Sequence, residues 1–80
     1  MEKKDLEIFE DLKIKIGSEL RRLRIEAGHN SYEIFAWEHN ISRIQYWKME
    51  KGTNCTLKSL VKVLNAHNIS IDDFFSSLNL

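Results

Sequence analysis

Proline is absent from all 80 residues and glycine occurs only three times, so little in the chain interrupts a helix. The apolar residues use that freedom. Leu6, Phe9, Leu12, Ile16, Leu20, Leu23 and Ala27 recur every three or four positions, the spacing of one helical face. This predicts a first helix over about residues 5–27, capped at its start by Asp5 and ended by Gly28 with Asn30. Gly17 lies inside the stripe and costs about 1 kcal/mol of helix propensity. The pattern therefore also admits a break between Lys15 and Gly17, with a shorter helical arm before it.

Four more helices follow from caps and periodicity. Ser31 is a good N-cap, and Asn30 with Glu33 has capping-box spacing. Ile34, Phe35 and Ala36 give that second helix a buried side, and it should stop at His39-Asn40. Ser42 and Gln45 have the spacing of a second capping box. They open a third helix whose Tyr46 and Met49 face inward and which Gly52 ends. A fourth helix runs from Thr56 to about His67 with Leu57, Leu60, Val61 and Leu64 on its apolar face. A fifth follows Ser70, with Asp72 and Asp73 in the first turn, where the helix dipole favours acids. Ile71, Phe74, Phe75 and Leu78 pack it down. No stretch alternates like a surface strand. The expectation is an all-α single domain over residues 1–80, with a helical extension at 1–15 and a closely joined helix pair at 31–50.

Composition excludes several function classes. Apolar residues make up 42% and charged residues 30%, a globular rather than a disordered balance. No apolar run approaches the ~20 residues that span a bilayer, and the start, MEKKDLEIFEDLK, lacks the apolar core of a signal peptide. These features place the chain in the cytoplasm. Cys55 stands alone, which rules out an internal disulfide and a cysteine metal cluster and leaves a reduced, buried thiol in preference to a disulfide between subunits. His29, His39 and His67 have no ligand spacing among themselves or with Cys55. There is no Ser-His-acid signature, no glycine-rich phosphate loop and no carboxylate pair that so small a domain would enclose. Neither metal, cofactor nor catalysis is expected.

Twelve basic and twelve acidic side chains cancel. Phosphate neutralisation drives non-specific DNA affinity, so any role on DNA has to come from the placement of charge. Arg43, Lys48 and Lys51 against Glu50 give residues 41–51 a local net of +2, and Arg21, Arg22 and Arg24 against Glu19 give residues 18–24 the same. The first 15 residues sum to −1, with four lysines against five acids.

The segment His39-Asn40-Ile41-Ser42 joins two short helices. Ala36, five positions before Ile41, is small enough for the helices to cross closely. Asn40 tolerates positive φ, and Ile41 plugs the space between the helices. That is the physical logic of a helix-turn-helix, whose second helix is held out toward a DNA major groove.

Residues 16–75 resemble the Cro/phage-repressor (Xre-type) helix-turn-helix family. The likeness rests on IGSELRRLRIEAG at 16–28, SYEIFAWEHNISRIQYWKMEKG at 31–52 and TLKSLVKVLNAHNISIDDFF at 56–75. The family's positions are met by Arg24, Ser31, Glu33, Phe35-Ala36, Asn40, Glu50 and Gly52. Departures are Asn40 for the turn glycine, Tyr32 where glutamine is common, and His39 for a leucine. Trp37, Ile44 and Trp47 stand where polar side chains are usual.

The resemblance implies a five-helix, lambda-repressor-like DNA-binding domain with an N-terminally extended first helix. Arg43, Ile44, Gln45, Trp47 and Lys48 become the candidate base-reading residues: arginine can read guanine, glutamine adenine and isoleucine the thymine methyl. Tyr32, Ser42, Lys51, Thr53 and Asn54 become candidate phosphate contacts. Arg24 and Glu50 are implied to form an internal ion pair between the first and third helices. Independently of the resemblance, a tryptophan left in water is unusual, so Trp37 is expected to be buried or half-buried, in the core or against the N-terminal arm.

Leu6, Phe9 and Leu12, or Phe74, Phe75, Leu78 and Leu80, exceed what five small helices need and supply either a homodimer face or a larger core. The resulting expectation is a sequence-specific double-stranded DNA binder, a bacterial or phage-encoded repressor or an antitoxin-type autorepressor with a toxin or other protein partner. The alternative is a protein-interaction module that keeps the fold without DNA binding.

Overall fold

A computed structural model describes residues 2–80. The described residues form five helices, α1 (Lys3–Glu26), α2 (Tyr32–Glu38), α3 (Arg43–Glu50), α4 (Leu57–Ala66) and α5 (Ile71–Ser77), with no strand. The architecture is all-α, as the periodicity predicts.

The helix ends explain how a chain with three glycines punctuates itself. Ser31, Ser42, Thr56 and Ser70 each sit just before a helix, and each side-chain oxygen accepts a hydrogen bond from the backbone N–H three residues on, at 3.0–3.3 Å. Each such cap contributes about 1 kcal/mol. The C-termini of α1 to α4 close with a left-handed residue, in turn Gly28, Asn40, Gly52 and Asn68. Their N–H groups and those of the next residues donate back to the last turn, as Asn40 does to Trp37 O and Ile41 to Ala36 O. This is the Schellman arrangement. Asparagine thus stands in for the missing glycines.

Helix α1 is continuous through Gly17; the break near Lys15 does not occur. It starts at Lys3 from an extended Glu2 with no side-chain cap, so Asp5 lies in the first turn rather than at the N-cap. Gly17 is buried against α3. A Cβ built there would lie 2.5 Å from Met49 O and 2.7 Å from Glu50 O. The glycine therefore lets the two helices meet backbone to backbone.

Leu20, Phe35, Ala36, Tyr46, Met49, Leu60, Val63, Leu64, Phe74 and Leu78 form the core. On α4 the inward positions are Leu60, Val63 and Leu64, whereas Leu57 and Val61 are exposed. The apolar stripe of that helix is wider than its buried face, and the sequence reading omitted Val63. Ile34 and Ile71 also face outward, because α2 and α5 bury only one side each. Phe74 and Leu78 belong to the core rather than to a free face, while Leu6 and Leu80 are exposed. Phe9, Leu12 and Phe75 are half-buried, as is Cys55, a free thiol. No described helix is long and apolar enough to cross a membrane.

Candidate nucleic-acid interface

The α2–α3 turn is built as its residues require. Ala36 is fully buried and its carbonyl accepts the Ile41 N–H at 2.8 Å. Asn40 adopts φ 57°. Phe35, behind the turn, is ringed by histidines. Its centroid lies 4.6 Å from His39, 4.8 Å from the stacked His67 and 5.2 Å from His29. The buried Nε2 of His67 has no hydrogen-bond partner among the described residues. Burial first, and then the neighbouring His39 and His29, hold the His67 pKa below its ordinary value, with Glu50 opposing.

A buried ion pair fixes the orientation of α3. Arg24 Nε donates to Glu50 Oε2 at 2.7 Å and Nη2 to Oε1 at 3.1 Å, while Nη1 donates to His29 O at 2.7 Å. Both side chains are under a tenth exposed. The bidentate bond with Glu50 raises the Arg24 pKa above its ordinary value. The Tyr46 hydroxyl is buried beside this pair without a well-formed hydrogen bond. Burial, and then the Glu50 carboxylate, push its pKa up.

With Tyr46, Met49 and the Glu50 carboxylate turned inward, α3 presents Arg43, Ile44, Gln45, Trp47 and Lys48 to solvent, with Ser42 exposed at its N-cap. Tyr32, Arg43, Ile44 and Trp47 line one depression on that side. A neighbouring recess shares Tyr32 and Trp47 and adds Lys51, Arg21, Arg24 and Glu50. Lys51 Nζ stands 5.8 Å from the Trp47 ring centroid. Thr53 and Asn54 are exposed too, but they border a different, apolar recess with Phe9, Leu12, Ile16 and Cys55. The Thr53 hydroxyl donates to Lys48 O at 2.8 Å, finishing α3.

Neither capping box closes. The Glu33 carboxylate accepts from Arg43 Nη1 at 2.9 Å across the turn. Gln45 Nε2 donates to Ser59 Oγ on α4, and Ser59 is itself held by Thr56. Trp37 does not pack on the N-terminal arm. It is 82% exposed on α2, because the buried side of that helix is taken by Phe35 and Ala36. Two further residues at this surface, Arg21 and Ser59, are not among the site residues that the sequence indicates. Arg21 had a legible signal, since it lies three residues before Arg24 and so on the same side of α1. Ser59 had none. Among the described residues no group of three or more His, Cys, Asp or Glu is placed to hold a metal ion.

The control protein C.MunI of Mycoplasma sp is 33% identical over 69 residues, covering 85% of this chain and 93% of that protein. The chain belongs to the control-protein family. No family model matches it. The crystal structure of the wild-type restriction-modification controller protein C.Esp1396I superposes with a TM-score of 0.72 at 28% identity, covering 84% of this chain and 87% of that one. A variant of the same protein gives 0.73 over 84% and 85%. The control proteins to which this chain is similar are regulators rather than enzymes.

Proposed function

We propose that the chain binds double-stranded DNA sequence-specifically, with α3 in the major groove, and regulates transcription in a restriction-modification system. The observation that carries this reading is the outward row Arg43, Ile44, Gln45, Trp47 and Lys48 on a helix whose other side is locked by Tyr46, Met49 and the Arg24–Glu50 pair. Overall neutrality does not oppose it. Glu50 is neutralised by Arg24 and Glu33 by Arg43, while Glu19 and Glu26 share Arg22 and keep one net negative charge on α1. Arg21, Lys48 and Lys51 form no ion pair among the described residues, so unpaired positive charge collects around Trp47. The description of the solved relatives as restriction-modification controller proteins supports this reading in preference to the antitoxin variant.

A homodimer on a two-fold site fits the expected geometry, with half-sites about 34 Å apart. Exposed Leu57, Val61, Ile71 and Leu80 supply apolar surface for a second copy.

A salt titration of binding to duplex DNA tests the reading. Affinity should fall with salt, with a log–log slope near −0.9 per phosphate contact. Absence of binding at low salt would favour the second reading, a protein-interaction module. That reading is supported by one observation, the solvent-exposed Trp37 beside exposed Ile34.

A further inference from the structure

Arg21, Tyr32 and Lys51 come from three different parts of the chain, α1, the start of α2 and the end of α3. All three line one recess, together with Trp47 and the buried Arg24–Glu50 pair. None of their side chains makes a hydrogen bond or ion pair among the described residues, whereas Arg22, next in sequence, is held by both Glu19 and Glu26. The bidentate Arg24–Glu50 contact leaves the inner side of the recess with no net charge. The remaining polarity is that of a guanidinium, an ammonium and a phenol, all hydrogen-bond donors. Charge-assisted donors of this kind suit a phosphate oxygen.

The recess is continuous with the reading surface. Tyr32 and Trp47 also line the depression that holds Arg43 and Ile44. An anion seated beside Arg21 is therefore next to the bases that α3 would read, as a backbone phosphate of the same site would be.

We propose that Arg21, together with Tyr32 and Lys51, binds one phosphate of the DNA backbone in the recess between α1 and α3. This rests on the DNA-binding reading above. Arg21 is a backbone contact and carries no base preference.

The test compares wild type, Arg21→Gln, Arg21→Lys and Lys3→Gln in salt titrations on a small set of duplexes selected from random sequences. Lys3→Gln makes the same change in charge 18 residues up α1, about 27 Å away at ~1.5 Å per residue, beyond the ~10 Å screening length at 0.1 M salt. Arg21→Gln should flatten the slope by about 0.9 and weaken binding roughly eight-fold at about 0.1 M salt, the change that such a slope gives relative to 1 M. The ranking of duplex sequences should stay the same, Arg21→Lys should keep most of the slope, and Lys3→Gln should match wild type. A wild-type slope in Arg21→Gln, or equal losses in Arg21→Gln and Lys3→Gln, overturns the assignment while leaving DNA binding intact. Absence of wild-type binding at low salt removes the DNA reading and the phosphate site with it. Inorganic phosphate added to the free protein separates the anion sources. If it shifts the Trp47 indole resonance in an Arg21-dependent way while the duplex slope ignores Arg21, the recess takes free anions and not DNA.

Discussion

Gly17 on α1 and Met49 on α3 meet backbone to backbone: a Cβ at Gly17 would lie 2.5 Å from the Met49 carbonyl oxygen. Two effects of opposite sign act on Gly17→Ala. Helix propensity favours alanine by about 1 kcal/mol. Overpacking against a backbone atom that cannot rotate away costs about 1–3 kcal/mol, and the second neighbour, Glu50 O at 2.7 Å, leaves no escape to the other side. The expected outcome is net destabilisation, read as a lower urea midpoint with an unchanged slope. An alanine variant more stable than wild type would show that the helices separate without cost.

The Arg24–Glu50 pair links α1 to α3 under cover. Truncating one partner leaves the other buried and unpaired, at a cost on the order of 3–5 kcal/mol. Arg24→Ala and Glu50→Ala should each lose that much in denaturant unfolding. The double variant should lose less than the sum, because neither charge is left alone. Strict additivity in that cycle would mean the two residues act independently.

The sequence carried the fold well because its signals were local. Ser31, Ser42, Thr56 and Ser70 cap where they stand, and Asn40 turns where Asn can. Exposure was less legible. Leu57, Val61, Ile34 and Ile71 keep helical spacing yet face out, because a small core of ten residues cannot cover every apolar position on five helices. Trp37 misled for the same reason: size suggested burial, but only the helix's rotation decides it. In the candidate site, Arg43 and Gln45 are exposed on α3. Their partners Glu33 and Ser59, 10 and 14 residues away, are tertiary facts that no spacing rule announces.

His67 should make folding sensitive to mild acid. Its folded pKa lies below the ordinary 6.5 because burial penalises the charged ring, with His39 and His29 adding repulsion. The native state therefore binds fewer protons than the unfolded chain below that value, and stability falls as pH drops through 6.5 toward the folded pKa. Above 6.5 the contribution is fully present. Glu19, lowered by its bonds to Arg22 and Ser77, acts only in the window below 4.5. Urea midpoints taken from about pH 7.5 down to about 5.5 stay above the Glu19 window. His67→Phe, which keeps the stack on Phe35, should flatten that profile. An equally steep fall in the Phe variant would assign the effect elsewhere.

On the proposed DNA-binding reading, the Arg43–Glu33 pair offers a test of whether α3 reads sequence. The pair spans the turn at 2.9 Å, but both side chains are more than half exposed, so it contributes only about 0.2–1 kcal/mol. On that reading, DNA would displace Glu33 from Arg43 at a loss of about five-fold at most. Arg43→Ala should keep the fold and lose about 1–3 kcal/mol of discrimination between the preferred duplex and a scrambled one, the value of one bidentate base contact. Glu33→Gln should raise affinity up to about five-fold by freeing the guanidinium. In Glu33→Gln/Arg43→Ala that gain should disappear, since nothing remains to free. Competition binding with the two duplexes measures all three. Unchanged discrimination in Arg43→Ala would remove this arginine from the reading surface. A fall in affinity on Glu33→Gln would make Glu33 a support that aims Arg43, rather than a restraint that DNA must break.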